Sequence, residues 1–150
     1  MEAKRILVID DEPSMTRMIR LNLEMTKRYQ VREENNAMHA LAAAREFKPD
    51  LILLDVIMPG MDGGELARRI KTDPTLSLVP VIFLTGTVTK KEAAEGAVTA
   101  GYPLLPKPVS LKNLVETMEN TFAAKAREQP KSTVGSKEPV TRQGSVTRQE

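Results

Sequence analysis

The chain has 150 residues, of which 41% are hydrophobic and 28% charged, with no cysteine and a formal net charge of +2. This length suits one domain, the missing cysteines exclude disulfides, thiol chemistry and the usual zinc frameworks, and no apolar run approaches the ~20 residues of a membrane span. The positive excess is local: residues 1–124 carry 16 Lys/Arg against 17 Asp/Glu, and residues 125–150 carry 6 against 3, so the main body has no electrostatic footprint for nucleic acid.

Met1-Glu2-Ala3-Lys4 leads straight into an apolar run with no signal peptide, and a cytoplasmic location is expected. Arg5–Ile9 reads as a short buried strand closed by Asp10 and Asp11. A helix follows, with Ser14 as the expected N-cap after Pro13 and an apolar stripe of Met15, Ile19 and Leu23. Gln30–Glu34 is short and polar, as an edge strand can be. An alanine-rich helix over about Ala37–Phe47 stops at Pro49-Asp50. Leu51–Leu54 forms the third strand and is closed by Asp55. Pro59-Gly60 and Asp62-Gly63-Gly64 mark a loop, followed by a helix from about Gly64 to Thr72. Val81–Leu84 forms the fourth strand, closed by Thr85. A helix is expected over Lys90–Ala100, with Gly101 as its C-cap. Tyr102–Leu105 forms the fifth strand, followed by Pro106-Lys107-Pro108. Ser110 caps a last helix whose Leu111, Leu114, Val115, Met118 and Phe122 keep one face apolar.

Five strands alternating with five helices predict an α/β fold, a parallel sheet covered on both faces in three layers. The apolar first, third and fourth strands belong at its centre. Pro103 in the fifth strand removes a ladder donor and fits an edge. The order 2-1-3-4-5 satisfies these constraints and places a ligand crevice between strands one and three, beyond their carboxyl ends. Asp10, Asp11 and Asp55 then meet in one small space. Carboxylates held that close repel, so the pocket demands a cation, and hard oxygen donors with room for water suit Mg²⁺. Two negative charges of the three balance Mg²⁺ and the third balances Lys107.

Residues 1–124 are expected to form the domain, and residues 125–150 a polar, basic, disordered tail or linker remnant. Val140-Thr-Arg-Gln recurs at Val146, which is too short for a solenoid repeat. His39 reads as a solvated helix residue, the methionines as mostly helical core and Lys90-Lys91 as a solvated helix end; Glu12 either tunes the metal site or, as the favoured reading, suits the N-terminal end of the first helix.

Asp10-Asp11-Glu12, Leu54-Asp55-Val56-Ile57-Met58-Pro59-Gly60-Met61-Asp62-Gly63, Leu84-Thr85-Gly86 and Pro106-Lys107-Pro108 occur in that order, each beginning at or just past a strand end. On these motifs the chain resembles the receiver domains of bacterial two-component response regulators, and is similar to the single-domain chemotaxis type. The resemblance covers residues 4–124 and implies the flavodoxin-like doubly wound (βα)5 fold. The 2-1-3-4-5 order is itself that of this fold group, so it is partly inherited from the resemblance.

The resemblance implies that Asp55 accepts a phosphoryl group from a phosphohistidine of a sensor histidine kinase or phosphotransfer protein, or from a small phosphodonor. It implies Mg²⁺ held by Asp10, Asp11, Asp55 and the backbone carbonyl of Ile57. Lys107 and Thr85 would contact the phosphoryl oxygens, and the Lys107-Pro108 bond would be cis. Output would pass through contact with a downstream protein, without direct binding of nucleic acid or membrane; homodimerisation stays open. Beyond self-phosphorylation and autodephosphorylation, no enzyme activity is implied.

The sequence departs from the family where an aromatic residue or histidine commonly precedes the lysine by three positions: here that residue is Leu104. Tyr102, two residues earlier and so on the same strand face, is the candidate to share the switch surface with it. The segment from Gly101 to Lys107 is also one residue shorter than the common pattern. Ile57 and Thr87, at positions that tune phosphate lifetime, suggest slow hydrolysis. The alternatives are a receiver module of a larger hybrid kinase or phosphorelay protein and an aspartyl-phosphate phosphatase. Against the phosphatase stands Ile57, where such enzymes need a second Asp two residues past the nucleophile. A dinucleotide site fails for want of Gly-x-Gly-x-x-Gly after the first strand.

Overall fold

A computed structural model describes residues 2–56, 58–86, 98–99 and 102–128. Its strands are β1 (Lys4–Ile9), β2 (Tyr29–Glu34), β3 (Leu51–Asp55), β4 (Val81–Thr85), β5 (Val98–Thr99) and β6 (Tyr102–Pro106). They lie in the order β2-β1-β3-β4-β6-β5, parallel except for the antiparallel pair of β5 with β6. The parallel core therefore has the expected doubly wound order. The sixth, two-residue strand is a correction. Val98 and Thr99 were expected inside a helix, but these β-branched residues instead pair with Pro103 and Tyr102. Pro103 accordingly has a neighbour on its outer side. Residues 87–97, with Thr87, Lys90 and Lys91, lie outside the described residues, as does Gly101.

The central strands are buried along their apolar runs: Ile6 to Ile9, Leu51 to Leu54 and Ile82 to Leu84 are all 0% exposed. Each such side chain contributes about 2 kcal/mol on leaving water. One cluster joins Leu7, Ile9, Ile52, Leu54 and Phe83 to residues of two helices, α2 (Ala40–Phe47) and α3 (Gly63–Thr72). Alanines 40, 43 and 44 let α2 approach the sheet closely.

Helix ends show where local chemistry overrode the sequence reading. The first helix, α1, spans Pro13–Met25 and has Pro at its first position, where no N–H partner is needed. Glu12, not Ser14, is its N-cap, and buried Thr16 joins Ile19 and Leu23 on the inner face while Met15 is only partly buried. The segment leading into α2 opens as a 3-10 turn, Ala37–His39, capped by Asn36 Oδ1 accepting from Met38 N at 2.9 Å. Asp62 caps α3 by accepting from Gly64 N at 3.2 Å. The methionines are less internal than expected: Met58 and Met118 are buried, but Met18, Met25 and Met38 are exposed. His39 is exposed.

The last helix, α4 (Leu111–Glu128), runs past the boundary expected at residue 124. At its start Ser110 Oγ accepts from Asn113 N at 3.2 Å. The chain divides into two units, Met1–Glu116 and Thr117–Glu150. The second contributes the C-terminal part of α4, where Met118 is buried and Thr121 Oγ1 donates to Thr117 O at 2.8 Å. Residues 129–150 lie outside the described residues. Among the described residues no helix is long and apolar enough to cross a membrane.

Candidate functional site

Sheet register assembles the site. Ile9 pairs with Leu54, so the next residues, Asp10 and Asp55, emerge side by side. Asp55 pairs with Leu84, and Thr85 with Pro106, which brings Thr85 and Lys107 to the same end of the sheet. Asp10, Asp55 and Thr85 are 0%, 4% and 2% exposed, while Asp11 faces solvent. Asp10, Asp11 and Asp55 each offer a carboxylate oxygen, and these oxygens all lie within 4.8 Å of one another.

Lys107 Nζ reaches into this cluster. It stands 2.7 Å from Asp10 Oδ2, 3.4 Å from Asp55 Oδ2 and 3.5 Å from Glu12 Oε1. Burial alone pulls the ammonium pKa down, but Asp10 and then Asp55 outweigh it, and the net direction is up. Lys107 therefore stays charged. The expectation for Glu12 holds only for its place at the N-cap of α1; its side chain also turns toward Lys107.

The donor set fits a hard divalent cation. Asp10 Oδ1 accepts from Glu12 N at 3.0 Å. Asp10 Oδ2 is buried, and among the described residues its close partner is the Lys107 ammonium at 2.7 Å. Three carboxylates against one ammonium leave uncompensated negative charge on hard oxygen donors, which a divalent cation can neutralise.

The end of β3 is packed against the start of α3 with no clearance. Gly63 N donates to Val56 O at 2.8 Å. A Cβ built on Gly63 would lie 2.5 Å from Asp55 O and 2.7 Å from Val56 Cα. Glycine at position 63 is thus what allows α3 to start directly beneath Asp55.

Four sequence-derived residues, Asp10, Asp11, Asp55 and Lys107, converge, and Thr85 lies buried at the same end of the sheet. The Lys107-Pro108 peptide is cis. Ile57 lies outside the described residues, as does the side chain of Tyr102. Leu104 is partly buried against the core cluster and pairs with Phe83. Sequence reasoning missed Asn35, whose Nδ2 donates to Asp10 O at 2.8 Å. The signal was the register: Ile9 faces Glu34, so the residue after Glu34 lies next to Asp10.

Comparison with known proteins matches residues 6–119 to the model of the response regulator receiver domain. The chain is 38% identical to the phosphate regulon transcriptional regulatory protein PhoB of Pseudomonas aeruginosa over 119 residues, covering 79% of this chain and 52% of that protein. It is 33% identical to Protein PilH of the same organism, covering 79% of this chain and 98% of that one. The chain thus spans about half of one relative and nearly all of the other. Among solved structures, a receiver domain protein of Methanospirillum hungatei superposes with a TM-score of 0.72 at 25% identity, covering 85% of this chain and all of that one.

Proposed function

We propose that Asp55 accepts the phosphoryl group in this chain, which belongs to the response regulator receiver domain family and acts as a phosphorylation-based signalling module of a two-component system. The observation that carries the reading is the convergence of three carboxylates and one ammonium at the carboxyl ends of β1, β3 and β6. Asp55 is the last residue of the inner strand β3, with the Lys107 ammonium 3.4 Å from its Oδ2.

In the proposed step an Asp55 carboxylate oxygen attacks the phosphorus of a phosphohistidine on a kinase or phosphotransfer protein. The new O–P bond forms as the P–N bond breaks, and the imidazole leaves with the electron pair. Asp10, Asp11 and Asp55, with the backbone carbonyl of Ile57, would hold Mg²⁺. The ion supplies charge neutralisation for the phosphoryl oxygens. Lys107 pairs with one of those oxygens, and the Thr85 hydroxyl donates to another. Signalling follows as a shift between two conformations, read by a protein partner at a surface including Leu104 and Tyr102. A cytoplasmic location accompanies this reading.

Intact-mass measurement after incubation with acetyl phosphate and Mg²⁺ tests it. The unaltered chain gains one phosphoryl group and Asp55→Asn gains none. Equal gain by both would refute Asp55 as acceptor, and gain by neither would refute transfer from this small donor.

A further inference from the structure

The polar end of β2 holds Asp10 from both sides. Asp10 N donates to Glu34 O at 3.1 Å, and Asn35 Nδ2 donates to Asp10 O at 2.8 Å. The same Asn35 nitrogen donates to Thr16 Oγ1 at 2.9 Å. Thr16, fully buried on α1, lies 2.7 Å from Glu33 Oε1 and 3.1 Å from Pro13 O. Arg20 Nε donates to Glu33 Oε2.

The donors leave one consistent direction. A backbone carbonyl only accepts, so the Asn35 nitrogen must face Asp10, and both its protons are engaged. A hydroxyl has one proton. The ionised Glu33 carboxylate is its nearest acceptor, so Thr16 donates there and accepts from Asn35. The chain Asn35→Thr16→Glu33 thus ends on an anion anchored by Arg20. With both ends of Asp10 fixed, its Oδ2 is held toward Asp11, Asp55 and Lys107.

We infer that Asn35 is a positioning residue for the divalent-cation site, acting through the Asp10 backbone and itself oriented by Thr16. This rests on the metal reading above. Substitutions behind a ligating group typically weaken metal affinity by about 10–100-fold. Asparagine at 35 is required for its two protons; aspartate has the same size and none when ionised.

Calorimetric titration of the full chain with Mg²⁺, beside thermal unfolding without it, tests the inference. Asn35→Asp should bind Mg²⁺ at least about tenfold more weakly. Thr16→Val should weaken binding in the same direction, and Thr16→Ser, which keeps the hydroxyl, should bind as the unaltered chain does. A merely structural role would lower the melting temperature of Asn35→Asp and Thr16→Val while leaving their affinities alike and intact, and that result overturns the inference. If Asn35→Asp does not fold, the Thr16 pair decides by the same criterion. Failure of the unaltered chain to bind Mg²⁺ would overturn this inference and the metal reading together. Normal binding without phosphoryl gain would refute only transfer from the small donor, and the variant affinities would still decide the role of Asn35.

Discussion

The backbone N–H of Lys107 donates to the carbonyl oxygen of Thr85 at 2.8 Å. This bond at the carboxyl end of the β4–β6 pairing thus ties the residue that ends β4 to the one that follows β6. It also sets where the Lys107 side chain departs, with its ammonium 2.7 Å from Asp10 and 3.4 Å from Asp55.

Lys107→Met removes that ammonium and leaves two buried carboxylates facing each other. Breaking a fully buried pair costs about 3–5 kcal/mol, and partial access of water to Lys107 reduces this to about 2 kcal/mol. Urea unfolding in chelator should show that loss, and added Mg²⁺ should recover a large part of it. Unchanged stability in chelator would contradict the ionic role assigned to Lys107.

Asp11→Asn acts with the opposite sign. Asp11 is exposed and has no ion pair among the described residues, yet its carboxylate adds to the repulsion at the cluster. In chelator the variant should melt higher by about 3 °C, within the range a fraction of a kcal/mol produces in a domain of this size. In Mg²⁺ the unaltered chain should gain more melting temperature than the variant. Differential scanning calorimetry with and without the ion reads both effects.

Neighbouring glycines at the start of α3 should respond differently to alanine. At Gly63 the added Cβ meets backbone at 2.5 Å, which cannot yield cheaply, and Gly63→Ala should cost about 2–3 kcal/mol in urea unfolding. At Gly64 the nearest atom to a Cβ is a side-chain oxygen at 3.5 Å. Gly64→Ala should be neutral or stabilising by up to about 1 kcal/mol, since alanine is the better helix residue.

Glu33 gives a pH signature. Burial pushes its carboxyl up, but hydrogen bonds from Arg20 and then Thr16 outweigh burial, and its pKa lies below the ordinary 4.5. A depressed carboxylate contributes stability fully present above the unfolded value and lost as pH falls through the folded one. The stability difference between the unaltered chain and Glu33→Gln should be constant at neutral pH and close progressively below about pH 4.5. A gap that persists undiminished well into acid would contradict the Arg20–Glu33 link.

The central strands and the charged cluster of Asp10, Asp11, Asp55 and Lys107 were legible because buried parallel strands read as continuous apolar runs and the charges follow those runs. What escaped reading depends on partners far apart in sequence. Asn35, just past the edge strand, and Thr16, on a helix, look like ordinary polar residues; only the β1–β2 register brings Asn35 to the Asp10 carbonyl, with Thr16 bonded to its amide. Val98 and Thr99 sit among helix-forming neighbours, and strand pairing with β6 prevails there. Pro13 was read as preceding the helix, although its fixed φ suits the first helical position.

The seated ammonium of Lys107 has a consequence for any ion that arrives. Asp10 and Asp55 already have a tethered counter-ion, so a dissolved cation enters by competition rather than by filling a vacancy. The affinity measured at this site is then the difference between two claims on the same oxygens, one of them covalently attached at fixed local concentration. Strengthening the tethered claim would tune the switch toward its resting state without altering a single ligand.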